Sequence, residues 1–125
     1  MSEFIRKSFD APDDTTNFPG ARVDVVTVAG VAVRRLTVEP GWRWSESVGP
    51  RIGTDRCQLE HAIWIVVSGR FAVRMDDGRA EEYGPGDIGS IPPGHEAWVE
   101  GDEAVVGFDF VAPLGGAASG ASGDS

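Results

Sequence analysis

Apolar residues recur along this chain in short, β-branched runs separated by turn residues, and this pattern predicts strands rather than helices. Residues 23–28 and 31–38 flank Ala29-Gly30, which predicts a hairpin with a two-residue turn. Residues 59–67 are the most apolar run and predict a central strand. Shorter strands are predicted at 71–75, 80–83, 88–91, 96–99 and 104–111. Such regular spacing predicts an all-β sandwich or barrel, with no helix long enough to matter.

Two turn segments rich in glycine and proline, residues 84–86 and 92–94, bracket the short apolar run 88–91. Proline fixes its own φ and glycine adopts conformations closed to other residues, so both ends of this strand are set locally. Asp87 follows the first turn and His95 the second. These are positions where a small barrel places polar side chains near its mouth, which suggests a pocket.

Composition and length predict one domain with three parts. Residues 1–22 are a polar N-terminal arm with one short edge strand, and residues 23–113 form the barrel domain. Residues 114–125 are a Gly/Ser/Ala tail that cannot build a core and is predicted to be disordered.

The net charge of −9 argues against nucleic acid and anionic membranes as partners, because both attract basic surfaces. The single cysteine, Cys57, excludes an intrachain disulfide. The first ten residues have no sustained apolar core, and no apolar run reaches the roughly 18 residues of a membrane span. We therefore expect a cytoplasmic protein.

The spacing Gly86-x5-Pro92-x-Gly94 resembles the second conserved motif of the cupin superfamily. The spacing of the first cupin motif is matched upstream by Gly49, Asp55, Cys57, Ala62 and Gly69. Together the two motifs cover about residues 40–110, and the chain looks like a small single-domain bacterial cupin. The resemblance implies a cupin-type jelly-roll β-barrel with an N-terminal arm.

The positions of the cupin metal ligands are not kept. Where metal-binding cupins have two histidines and a glutamate, this chain has Asp55, Cys57 and Ala62. The last histidine position falls on Ala97. The resemblance therefore implies a metal site that is absent or non-standard.

A non-standard metal site can still be assembled from nearby residues, namely Asp55, Cys57, His61 and His95. Residues two or four apart on a strand share a face, so Cys57 and His61 are candidates for one wall. One carboxylate, one thiolate and two imidazoles suit Zn²⁺ or Fe²⁺.

Each of these candidates also has a structural interpretation. His95 can bond a backbone carbonyl at the barrel mouth, His61 can be a satisfied half-buried histidine, and Cys57 can be a small buried apolar residue. A Cys57–His61 nucleophile pair would need an orienting third group and an oxyanion hole, and the sequence reveals neither.

Four tryptophans, Trp42, Trp44, Trp64 and Trp98, are many for so small a chain. They either fill the core or line a ligand pocket together with Cys57, His61 and His95. Arginines 34, 35 and 43 either pair with the abundant carboxylates or reach an anionic ligand.

The leading functional hypothesis is a small-molecule-binding cupin, acting as a sensor, carrier or accessory protein. The alternative is a metal-dependent cupin enzyme, an isomerase, dioxygenase or lyase acting on a small polar substrate. A third idea is a structural dimerisation module, and a homodimer is expected because jelly-roll cupins commonly pair through one sheet. The sequence assigns no catalytic residue.

Overall fold

The computed structural model describes residues 3–111, and these form nine strands and two single-turn helices. The elements in chain order are β1 (Asp14–Phe18), β2 (Ala21–Val28), β3 (Val31–Val38), α1 (Trp44–Ser47), α2 (Gly49–Ile52), β4 (His61–Ser68), β5 (Phe71–Met75), β6 (Ala80–Tyr83), β7 (Ile88–Ile91), β8 (His95–Val99) and β9 (Val105–Val111). None of the helices in this part of the chain is long and apolar enough to cross a membrane.

The strands form two antiparallel sheets that enclose the core. The large sheet has the order β1-β2-β3-β9-β4-β7 and the small sheet the order β6-β5-β8. Between β3 and β4 the chain crosses to the small sheet, where Arg43 and Cys57 each make an isolated bridge to β8. The predicted all-β jelly-roll barrel is therefore confirmed.

The local turn signals set the strand ends. Ala29 and Gly30 have φ of 51° and 80°, as the twist of a two-residue hairpin requires, and Val28 pairs with Val31 across them. Gly86 and Gly94 also have positive φ, at 89° and 91°, in the two turn segments around β7. Four of the predicted strands have the observed bounds, and the other four differ at their first or last residues.

The single-turn helices α1 and α2 were not predicted, and the start of α1 is held by a distant residue. In the structure, the buried carboxylate of Glu96 on β8 accepts hydrogen bonds from the backbone N and the Oγ of Ser45. These bonds satisfy donors at the start of α1, which has no local side-chain cap. No local pattern shows a cap 51 residues away.

The N-terminal arm packs on the outer face of the large sheet. β1 is the edge strand of this sheet, as predicted for the arm, and β2 begins within the arm at Ala21. Before β1, Phe9 packs edge-to-face on Phe108 of β9, with 5.4 Å between ring centroids. The predicted tail, residues 114–125, lies outside the described residues.

The core between the sheets is rich in aromatic side chains. Trp64, 2% exposed, lies against Gly107, where an added Cβ would come within 2.2 Å of the indole ring. Phe71 packs against both Trp64 and Trp42, with centroid distances of 4.9 and 6.1 Å. These rings form one wall of the cavity described next.

Candidate metal and ligand site

A cavity of about 380 Å³ lies within the barrel, in the size range of small-molecule pockets. Six of the seven predicted pocket residues line it, namely Trp42, Trp44, Cys57, His61, Trp64 and His95. The seventh, Trp98, does not line it, because side chains alternate along β8 and Ala97 faces the cavity instead. Trp98 lies under the Arg43 guanidinium, 4.8 Å from the ring centroid, and its Nε1 donates to Glu100.

Cys57, His61 and His95 converge on one wall of this cavity. Their candidate ligand atoms all lie within 4.8 Å of one another, and Cys57 Sγ is 3.9 Å from His61 Nε2. Cys57 and His95 are brought together by reciprocal backbone hydrogen bonds of 2.8 and 3.2 Å, which make them an antiparallel pair. His61 is the first residue of β4, opposite Ile91 of β7. Turns and pairing, rather than loops, therefore position all three side chains.

Both imidazoles are oriented by a hydrogen bond at Nδ1. His61 Nδ1 donates to Asp109 Oδ2 at 2.6 Å, and His95 Nδ1 donates to the Pro92 carbonyl at 2.7 Å. The carboxylate and the carbonyl are acceptors only, so each Nδ1 must carry a proton. Nε2 of each ring is therefore the nitrogen left for a ligand atom.

Arg34 holds the Asp109 carboxylate in turn. Its Nε and Nη2 donate to Asp109 Oδ1 and Oδ2 at 2.7 and 2.8 Å, and the two residues are direct cross-strand neighbours on β3 and β9. Burial alone would raise the pKa of Asp109, but the hydrogen bonds from His61 and Arg34 outweigh it and lower the pKa. Asp109 is thus an ionised, bidentate anchor behind His61.

The pKa values of the Cys57 thiol and the His61 imidazole, which face each other, are strongly shifted. Burial alone would raise the pKa of Cys57, but hydrogen bonds with His61 and His95 lower it from 9.0 to about 6. Burial alone would lower the pKa of His61, but the hydrogen bonds with Asp109 and Cys57 raise it from 6.5 to about 9. Near neutral pH, the metal-free site therefore holds a thiolate beside an imidazolium.

The donor set fits a divalent metal ion. Cysteine thiolate and histidine imidazole are both zinc ligands, and imidazole also suits iron. Metal-binding histidines usually donate their other N–H to a carboxylate or carbonyl. Asp109 and Pro92 provide those acceptors here. Three protein donors leave a tetrahedral ion one position for an exogenous atom.

The structure does not bring Asp55, the predicted carboxylate ligand, into this group of three side chains. Asp55 is exposed, because the chain bends at residues 55 and 56 before the isolated bridge from Cys57 to β8. Thr54 Oγ1 accepts a hydrogen bond from the Arg56 backbone N within this bend.

The sequence interpretation missed Asp109 and its role. Its only local signal is an acidic residue between Phe108 and Phe110 in an otherwise apolar strand. Asp109 also gives the Cys57–His61 pair the orienting third group that the sequence did not reveal. Two of the structural interpretations hold as well, because His95 bonds a backbone carbonyl and His61 is a satisfied, half-buried histidine.

The strand topology is that of a cupin-type double-stranded β-helix fold. Comparisons with protein-family models and with curated protein sequences find no match. Among solved structures, a cupin 2 conserved barrel domain protein from Salinispora arenicola CNS-205 is similar, with TM-score 0.59, 20% identity and coverage of 91% of this chain and 92% of that one.

Two further solved structures agree on the fold. A protein with a double-stranded β-helix domain from Klebsiella pneumoniae has TM-score 0.57 and 22% identity, covering 89% of this chain and 91% of that one. The KdgF protein from Halomonas sp. has TM-score 0.55 and 22% identity, covering 80% and 87%. At such identities the likeness shows a shared cupin fold, as the sequence motifs predicted.

Proposed function

We propose that this protein binds a small molecule inside its barrel, next to a divalent metal ion held by Cys57, His61 and His95. The observation that carries the proposal is the convergence of three donor side chains on one wall of a ligand-sized cavity. The homodimer and the cytoplasmic location stay predictions.

The hydrogen bonds behind the two histidines support a metal centre. Each ring donates from Nδ1 to a fixed acceptor, which is the arrangement that keeps Nε2 available and correctly aimed in metal sites. When bound, Zn²⁺ or Fe²⁺ would supply Lewis-acid character at one open position. Metal binding should release a proton, because His61 with its pKa of about 9 must become neutral to act as a ligand.

The same contacts allow a second candidate function, a metal-dependent enzyme. The observation in its favour is the three-donor set, because catalytic sites keep one position open whereas structural zinc sites are closed. The isomerase, dioxygenase or lyase activities considered from the sequence all remain compatible with such a site. Turnover unaffected by replacing both His61 and His95 would exclude this candidate.

A thiol nucleophile explains fewer of the contacts. Cys57, His61 and Asp109 have the order of nucleophile, base and orienting carboxylate. That order gives no role to His95, whose fixed ring joins the same group. A metal centre uses all three converging side chains, so we favour it.

Elemental analysis of protein purified without added metal or chelator tests the proposal. We expect about one Zn or Fe per chain, retained through dialysis, because the three donors are already gathered and both imidazoles are held by hydrogen bonds at Nδ1. Cys57→Ser, His61→Asn and His95→Gln should each lose the metal. Asp55→Asn is the matched control, since Asp55 is exposed and outside the group. Metal-free wild-type protein that also fails to take up Zn²⁺ or Fe²⁺ in a titration would refute the metal centre.

A further inference from the structure

The walls of the cavity are almost entirely apolar. Apart from Thr16 and the connected group around the histidines, the side chains that line it are hydrocarbon, aromatic or thiol. The large sheet contributes Val23, Val25 and Leu36 from β2 and β3, and the tryptophans cover much of the remaining wall. A ligand hydroxyl buried against the hydrocarbon part of this wall would lose its water without finding a partner, at a cost of about 1–3 kcal/mol per group.

Among the described residues that line the cavity, Arg34 is the only arginine or lysine, and it is already paired. Its Nε and Nη2 donate to both oxygens of Asp109 in a bidentate ion pair. Free guanidinium or ammonium groups are common partners of phosphate and of multiply charged ligands. The described lining therefore offers no unpaired arginine or lysine to a phosphate ester.

The charge of the polar group with a metal ion follows from its ligand set. Arg34 is paired with Asp109, so these two residues add no net charge. A divalent ion held by one thiolate and two neutral imidazoles would leave one net positive charge. One anionic oxygen of a ligand would neutralise that charge, and a second would be buried without a counter-charge.

We infer that the cavity binds a predominantly apolar, flat molecule with a single anionic oxygen head, such as an aryl carboxylate, and rejects sugars and phosphate esters. This inference rests on the proposed function, because the head is balanced by the metal charge. The apolar part of the ligand would lie along the aromatic wall formed by Trp42, Trp64 and Phe71, because flat rings offer a large contact area to a flat molecule.

Calorimetric titration of the zinc-loaded protein with three probes tests this ligand class. 2-Naphthoate is the expected ligand, 2-naphthylmethanol has the same body without the charge, and glucose 6-phosphate is the polar probe. We expect 2-naphthoate to bind at least about tenfold more tightly than 2-naphthylmethanol, as one buried charge pair predicts. Glucose 6-phosphate should give no binding heat at the same concentrations.

Variants of Leu36 test whether the ligand binds inside the cavity. Leu36→Glu adds a negative charge to the wall and should weaken 2-naphthoate binding about tenfold more than the isosteric Leu36→Gln. Ile63→Glu is the control, because Ile63 is 41% exposed on β4, next to the inward-facing Trp64. Circular dichroism and zinc content of each variant show whether the fold and the metal centre persist.

The outcomes separate this inference from the proposed function. Zinc uptake with tight binding of glucose 6-phosphate, or with equal binding of the two naphthyl probes, would overturn the ligand class and leave the metal centre intact. Zinc uptake with no binding of either naphthyl probe would overturn the ligand class as well. Failure to take up zinc would overturn both.

Discussion

Two buried carboxylates of the large sheet, Asp24 and Asp109, have similar surroundings and different roles. Each faces an arginine of β3 across a strand pair, Asp24 opposite Arg35 and Asp109 opposite Arg34. Because successive side chains alternate, these consecutive arginines serve opposite faces of the sheet. Arg34 lines the cavity, while Arg35 lies under the Phe9 ring on the outer face.

The difference between the two carboxylates lies in what else each one binds. Asp24 accepts hydrogen bonds from Thr15, Arg22 and Arg35, so it joins the first three strands and has no titratable partner. Asp109 has one arginine and gives its remaining contact to His61. Asp24, which is bound by strand residues only, therefore has a structural role. Asp109, which holds His61 at the cavity, positions a functional group.

Removing the structural carboxylate should have the largest effect. Asp24→Ala should lower the free energy of unfolding by about 3 kcal/mol, the lower end for a broken buried ion pair, because Arg22 and Arg35 can still reach water. Urea denaturation measures the change. Zinc affinity of the folded variant should match the wild type, and a loss of affinity without a loss of stability would reverse the roles assigned here.

Neutralising the positioning carboxylate should change metal affinity more than folding. Asp109→Asn should weaken zinc binding by about 10–100-fold, the usual effect of removing the partner behind a metal-binding histidine. A competition titration with a chelating dye measures the affinity. Unchanged affinity would mean that His61 is not a ligand or that Asp109 does not orient it.

The pH dependence of the stability of the metal-free protein tests the pairing of His61, the residue that Asp109 holds, with Cys57. The lowered pKa of Cys57 contributes stability that is present above 9.0 and lost as pH falls through about 6. The raised pKa of His61 contributes stability that is present below 6.5 and lost as pH rises through about 9. Between pH 6.5 and about 9, the contribution of Cys57 rises with pH while that of His61 falls. The free energy of unfolding of the wild type should therefore be nearly constant in this range.

Cys57→Ser should reveal the contribution of His61 to the pH dependence of stability. Without the thiolate, the hydrogen bond to Asp109 still favours the charged ring, so the variant should lose stability as pH rises above 6.5. Urea denaturation of metal-free protein across this window measures both slopes. A wild-type slope as steep as that of the variant would show that the two groups are not paired.

Local sequence signals accounted for the barrel because its turns are encoded locally. The Ala29-Gly30 hairpin and the two turn segments around β7 set strand ends without help from distant residues. The α1 cap and the Arg34–Asp109 pair depend on partners 51 and 75 residues away, so no local pattern showed them.

For the site, the sequence identified the three candidate metal donors but not the residues that orient the two histidines, Asp109 and Pro92. Cys57, His61 and His95 stood out as rare residue types near recognised turns. Asp55 and Trp98 lie apart from the other predicted site residues, because Asp55 is in a bend and Trp98 is on the face of β8 that points away from the cavity. Side-chain orientation in a short strand depends on where regular pairing begins, and that is set by tertiary contacts.

The central claim is that Cys57, His61 and His95 bind one metal ion, and cobalt spectroscopy tests it most directly. Titration of metal-free protein with Co²⁺ should give a thiolate-to-cobalt charge-transfer absorption that saturates at about one equivalent, as a single three-donor site predicts. The absorption should persist in Asp55→Asn and disappear in Cys57→Ser. A wild-type spectrum equal to that of Cys57→Ser would contradict the account.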